Sequence, residues 1–148
     1  MAHLLDVNLL IALMDSAHVH HDAAHAWFAR HERDGWLTCP LTENGAVRIL
    51  ANPAYPNGAL PVDDLVTRLR EFTDGSETHE FLPATASLLR EKSAALRKLT
   101  SKNLTDAYLL RLAAETKNTL ATFDRRILPT LIGEPANRKL VFHLQTSR

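Results

Sequence analysis

Short apolar runs alternating with longer helical patterns constrain this chain more than any other feature. Strand-like runs occur at residues 3–5, 36–39, 79–82, 119–122 and 139–144. Between them the spacing predicts helices over 8–14, 21–32, 42–50, 62–73, 87–99 and 105–116. Strands separated by helices need crossover connections, and these favour a mostly parallel sheet. Helices then cover both faces of the sheet, so its strands read as apolar runs without clean alternation. No repeat, low-complexity tract or linker interrupts the 148 residues, and a single α/β domain spanning 1–148 is expected.

Local signals mark several boundaries. Thr42 is a candidate cap for the helix after the second strand, although Gly45 weakens that helix's first turn. Residues 52–58 form a turn-rich loop, and Pro61 can occupy the first position of the next helix. Asn103 or Thr105 can cap the helix that carries Asp106. In that helix Ala107, Leu110 and Ala114 follow core spacing. Formal net charge is zero, so no global basic field attracts nucleic acid, and such a partner must be held by a local patch. Cys39 is the only cysteine, which excludes an internal disulfide and suits a reducing cytoplasm. No apolar stretch is long enough for a membrane span, and the start of the chain lacks a basic signal-peptide region. A cytoplasmic protein is expected.

One acid stands in surroundings that do not explain it. Asp6 interrupts the apolar run from Leu4 to Met14, where an ionised carboxylate is costly without a partner or a metal. Of the seventeen acids, three more share its kind of position. Asp124 follows the run 119–123, Glu43 opens the helix after the second strand, and Asp106 opens the helix before the fourth. In a parallel sheet, the carboxyl ends of strands and the helix starts that follow them converge on one edge. Carboxylates gathered there repel one another unless cations neutralise them, and a hard divalent ion, Mg²⁺ or Mn²⁺, suits oxygen ligands. Such an ion acidifies bound water and stabilises charge on a phosphate in transit, so the chemistry suggested is phosphodiester hydrolysis. Plainer roles compete for three of the four. Asp106 and Glu43 can each stabilise a helix dipole, and Asp124 can open an Asx turn before Arg125 and Arg126.

Four segments occur in a recognisable order: Leu4-Leu5-Asp6-Val7-Asn8; Leu41-Thr42-Glu43 with Arg48; Leu104-Thr105-Asp106-Ala107-Tyr108-Leu109; and Ala121-Thr122-Phe123-Asp124-Arg125. Together they resemble the PIN-domain ribonucleases, and specifically the VapC toxins of bacterial type II toxin–antitoxin systems. The resemblance runs from His3 to about Leu144. It implies a three-layer α/β/α sandwich and a metal-dependent endoribonuclease in which a metal-bound water attacks RNA. It further implies Mg²⁺, or Mn²⁺, held by Asp6, Asp106 and Asp124, with Glu43 completing the catalytic set. Asn8, Thr105 and Thr122 are implied as polar supports that orient carboxylates or waters. A homodimer is implied too, with a cognate VapB-like antitoxin whose tail blocks the groove. Two positions depart from the family pattern. Arg126 and Ile127 stand where an acid and an aromatic are common, and Gly45 stands where a bulkier helix former is expected.

Other features have competing uses. His21 and His25 lie one helical turn apart, as a zinc pair would, but no Glu follows His21 as the metalloprotease pattern requires. An amphipathic helix burying Ala24, Trp27 and Phe28 is the simpler expectation. Lys98, Lys102, Arg111, Arg125 and Arg126 can contact RNA phosphates, with Arg125 and Arg126 the foremost candidates. Trp27 and Trp36 are expected in the core or a dimer contact. Two other readings compete with the nuclease. A phosphoryl-accepting receiver domain would need paired acids after the first strand and a late Lys, where this chain offers Asp6 alone and His143. A catalytically inactive PIN-fold binding module would not need all four acids.

Overall fold

The computed structural model describes residues 1–146. Its elements run β1 (His3–Leu5), α1 (Val7–Met14), α2 (His21–His31), β2 (Trp36–Thr38), α3 (Pro40–Leu50), α4 (Val62–Asp74), β3 (His79–Phe81), α5 (Ser93–Leu96), α6 (Leu104–Glu115), β4 (Thr119–Thr122) and β5 (Val141–His143). Short 3₁₀ turns lie at Glu32–Asp34, Leu88–Arg90 and Pro129–Ile132.

The five strands form one parallel sheet in the order β3-β2-β1-β4-β5. His3 is in register with Trp36 and Thr119, and Leu4 with Leu37 and Leu120. Every residue of β1, β2 and β4 is buried, as expected for strands covered on both faces. The pleat sends neighbours to opposite sides. Leu5, Trp36 and Ala121 join a core with Leu9 and Leu13 of α1, Trp27 of α2, Leu50 of α3 and Leu65 of α4. Leu4, Leu37 and Leu120 join a second core with α6 and Ile132. The result is a three-layer α/β/α sandwich. The chain builds outward from β1 to β2 and β3, then returns to place β4 on the other side of β1. A switch point between β1 and β4 follows, and parallel sheets bind ligands outside the strand carboxyl ends at such a point. This order also overturns the receiver reading, because receiver-type sheets run 2-1-3-4-5.

Several local expectations are corrected. Helix α3 starts at Pro40, in the favoured first position for proline, so Thr42 lies inside it instead of capping it. Thr42 Oγ1 accepts from the Cys39 amide at 3.0 Å and so still secures the helix start. Pro61 immediately precedes α4 instead of opening it. Asn103 stands at the cap of α6, yet its Oδ1 accepts from the Thr100 amide at 2.7 Å instead of from the helix. The continuous helix expected over 87–99 breaks into a 3₁₀ turn and α5, with Glu91 and Lys92 extended between them. The break lets Glu91 reach Arg111, which donates from Nη2 to Glu91 Oε2 at 3.0 Å and to the Ile132 carbonyl at 3.1 Å. Gly45 also has a tertiary cause, since a Cβ there would stand 2.8 Å from Val7 Cγ2 where α3 crosses α1.

His21 and His25 serve the end of α1. His21 Nδ1 donates to the Ala12 carbonyl at 2.8 Å and His25 Nε2 to the Leu13 carbonyl at 3.0 Å, satisfying oxygens the helix leaves unpaired. Trp36 is buried and donates from Nε1 to Ser76 Oγ at 2.9 Å. Among the described residues, no helix is long and apolar enough to cross a membrane.

Candidate active site

Asp6 is the first residue beyond β1, and its position is built by three hydrogen bonds. Its Oδ1 accepts from the Val7 amide at 2.8 Å, so the carboxylate caps α1. Its Oδ2 accepts from Thr122 Oγ1 at 2.8 Å and from Asn8 Nδ2 at 3.3 Å. Thr122 ends β4, the strand beside β1, and its hydroxyl also accepts from Asn8 Nδ2 at 3.1 Å and the Asp124 amide at 3.0 Å. Asn8 Oδ1 accepts from the Phe123 amide at 3.2 Å. The two strand ends at the switch point are therefore laced together around Asp6. Burial pushes the Asp6 carboxyl above the ordinary carboxylate value, against the pull of its bonds to Thr122 and Val7, and Asp124 pushes the same way.

Asp106 lies in the first turn of α6 and is half-buried. Burial and the nearby charges of Asp6 and Asp124 push its carboxyl up to about 6. Asp124 shows the opposite behaviour. Its Oδ1 accepts from the Arg126 amide at 2.9 Å, forming an Asx turn, and from Arg126 Nε at 3.0 Å. Its Oδ2 accepts from Arg126 Nη2 at 2.9 Å. This fork holds the Asp124 carboxyl below the usual range. Asp106, Asp124, Lys102 and Arg126 line a cavity of about 310 Å³.

The structure thus brings Asp6, Asp106 and Asp124 within electrostatic reach of one another. Glu43 lines a different cavity, of about 460 Å³, between α3 and α4. Its Oε1 accepts from Thr38 Oγ1 at 2.8 Å. The hydroxyl has one proton, so His79 Nε2 donates to Thr38 at 2.8 Å. Burial lowers the His79 pKa. Thr38 and His79 were not foreseen from sequence, and the one available signal was a polar residue ending the buried strand β2.

Thr105 is exposed, and among the described residues it makes no hydrogen bond to the acids. Arg125 and Arg126 are exposed beside Asp124, Arg126 being tied to it as described. Arg111 is corrected from phosphate contact to structural clamp, since Glu91 and Ile132 hold it.

The oxygen-only donor set of Asp6, Asp106 and Asp124, with Thr122 and Asn8 behind it, fits a hard divalent cation. The upward push on Asp6 and Asp106 comes first from burial and then from neighbouring acids, and a bound cation would offset both by stabilising the charged carboxylates. The three acids do not form a closed shell, however. Among the described residues, the His, Cys, Asp and Glu ligand atoms that come within 4.8 Å of one another in a set of three or more belong to His3, His31 and Asp34. Water-mediated ligation, which Mg²⁺ favours, suits the wider spacing of the acids.

Comparison with known proteins agrees with this architecture. The profile of the PIN domain matches residues 3–130. Ribonuclease VapC44 of Mycobacterium tuberculosis is 40% identical over 130 residues, covering 87% of this chain and 90% of the relative. Ribonuclease VapC39 of the same organism is 39% identical over 126 residues, covering 84% and 89%. Ribonuclease VapC38 is 37% identical over 121 residues, covering 82% and 84%. With its fold, its strand order and these likenesses in agreement, the chain belongs to the PIN-domain family and, within it, to the VapC group.

Proposed function

We propose that this protein is the toxin of a type II toxin–antitoxin pair and acts as a Mg²⁺-dependent endoribonuclease. The observation that carries the reading is the placement of Asp6, Asp106 and Asp124 around the β1–β4 switch point, with Asp106 pushed up to about 6. The names of the VapC relatives support the same activity. In this reading Asp6, Asp106 and Asp124 hold the cation, and Mn²⁺ can replace Mg²⁺. A bound divalent cation supplies Lewis acidity toward the phosphate and acidifies water.

The chain's own residues do the rest. Thr122 and Asn8 fix the rotamer of Asp6, so the carboxylate meets the cation without reorganising. Asp106 is the least restrained of the three and adapts to the substrate. Arg126 and Arg125 meet RNA phosphates at the mouth, and Arg126 keeps Asp124 ionised until then. Glu43, oriented by Thr38 and His79, serves the substrate from the neighbouring cavity. RNA is the substrate, a VapB-like antitoxin the partner, and the active form a homodimer.

The test compares wild type with Asp106→Ala in cells and with purified protein. Wild type should arrest growth and cut RNA at defined positions, losing activity on chelation and regaining it with Mg²⁺. Asp106→Ala should lose roughly a hundredfold or more in cleavage rate. Undiminished cleavage by the variant would overturn the site, and cleavage indifferent to chelation would overturn the metal. RNA binding without cleavage by wild type would favour an inactive binding module.

A further inference from the structure

We propose that His3, His31 and Asp34 form a second metal site, for a zinc-type ion, at the opposite end of the sheet from the acids. His3 opens β1, His31 ends α2, and Asp34 lies in the 3₁₀ turn that follows. His3 precedes Asp6 by three extended residues, which separates the two places by ~10 Å along the strand.

The distances argue for a shared cation instead of simple hydrogen bonds. Asp34 Oδ2 lies 3.4 Å from His31 Nδ1 and 3.6 Å from His3 Nε2. Both exceed the ~2.7–3.2 Å of a good N–H···O bond. In a tetrahedral shell with bonds of about 2.0–2.1 Å, neighbouring ligand atoms stand ~3.3–3.4 Å apart. One oxygen facing two imidazole nitrogens at nearly that separation is two edges of such a shell. Two imidazoles and a carboxylate also suit zinc better than Mg²⁺.

The surroundings prepare the ligands. His3 Nδ1 lies 2.6 Å from Thr119 Oγ1, whose hydroxyl faces the Ala2 carbonyl at 3.5 Å. Thr119 thus engages Nδ1 of the ring and orients it, and Nε2 is the nitrogen that faces Asp34. This is the outer hydrogen bond that typically orients a metal-binding histidine. Burial lowers the His3 pKa below the ordinary imidazole value, against the pull of Asp34. Trp27 stacks on His31 with centroids 5.0 Å apart and meets the edge of His3 at 5.3 Å, walling one side. The Asp34 side chain is 54% exposed and leaves the other side open to water as a fourth ligand. An ion there ties β1, α2 and the following turn together, a structural clip distinct from the catalytic reading.

The test uses the full chain stripped of metal and titrated with Co²⁺, then Zn²⁺. One equivalent of Co²⁺ should give the intense visible bands of four-coordination, and Zn²⁺ should abolish them. Saturating Zn²⁺, at ~100 times its Kd, should raise Tm by roughly 5–10 °C. His31→Gln and Asp34→Asn alter groups that reach solvent, and equal Tm in chelator verifies their folding. Each should weaken Co²⁺ binding by at least roughly tenfold. Asp106→Asn should leave the bands unchanged. Absent bands, bands that persist in His31→Gln, or bands lost in Asp106→Asn would each overturn the site.

Discussion

Asp6 caps a helix, directly follows a strand and accepts from a neighbouring strand, and Thr122 is the residue that makes these roles compatible. Thr122 is fully buried, and its hydroxyl donates to Asp6 Oδ2 while accepting from Asn8 and the Asp124 amide. Valine has nearly the same shape and none of these bonds, so Thr122→Val isolates the hydroxyl. Losing a buried hydrogen bond to a charged acceptor costs about 1.5–3 kcal/mol. A denaturant titration should show that loss as a lower midpoint with an unchanged slope, and Thr122→Ser should recover most of it. A midpoint unmoved in Thr122→Val would mean the lacing around Asp6 contributes nothing. Asp6 was legible in the sequence because it interrupts an apolar run at a strand end, whereas Asn8 and Thr122 were marked only through the resemblance to the PIN-domain ribonucleases. The Thr38–His79 support of Glu43 was not, since the two are 41 residues apart and only β2–β3 pairing joins them.

The contact of α1 with α3 shows how an element overrides local preference. By propensity alone, Gly45→Ala should favour α3 by up to about 1 kcal/mol. The new Cβ would stand 2.8 Å from Val7 Cγ2, and a β-branched side chain has little freedom to turn away. Overpacking of this kind costs about 1–3 kcal/mol. Gly45→Ala should therefore destabilise by about 1–2 kcal/mol, and adding Val7→Ala should restore most of it. Val7 directly follows Asp6 and Gly45 lies two residues after Glu43, so the same contact sets the spacing of two site elements. A stabilised Gly45→Ala protein would show that the helices separate freely. Composition marked Gly45 as a weakness because the close approach is invisible until the helices are packed. The broken helix over 87–99 has the same kind of cause, with Arg111 drawing Glu91 out of register.

Across the whole molecule the layers follow from the alternation of runs, because strands apolar on both faces leave few other architectures. What holds the long connections in place is less legible, since polar contacts between distant loops leave no periodic trace. The 52–58 loop is an example. Tyr55 Oη donates to Asp15 Oδ2, and Asn57 Nδ2 donates to the same oxygen at 2.7 Å, latching this loop onto the end of α1. The latch is measurable through the phenol. Burial and the bond to Asp15 push Tyr55 up to about 12 from the ordinary 10.0. The folded chain then holds a proton that the unfolded chain releases, so ν_U is smaller than ν_N over that interval. Stability from this group is complete below pH 10 and falls as pH rises toward about 12. Asp15 titrates at the other limit. Against the cost of its burial, the bonds from Tyr55 and Asn57 hold its carboxyl below 3.8, so its contribution is present above that value and lost in acid. Ultraviolet titration in a Tyr108→Phe background should show a phenol ionising near 12 in the native protein. Asp15→Asn should lower that transition toward 10.0, because the charge that opposes the phenolate is gone. A native Tyr55 that ionises at the ordinary value in both proteins would show that the loop is not latched to α1.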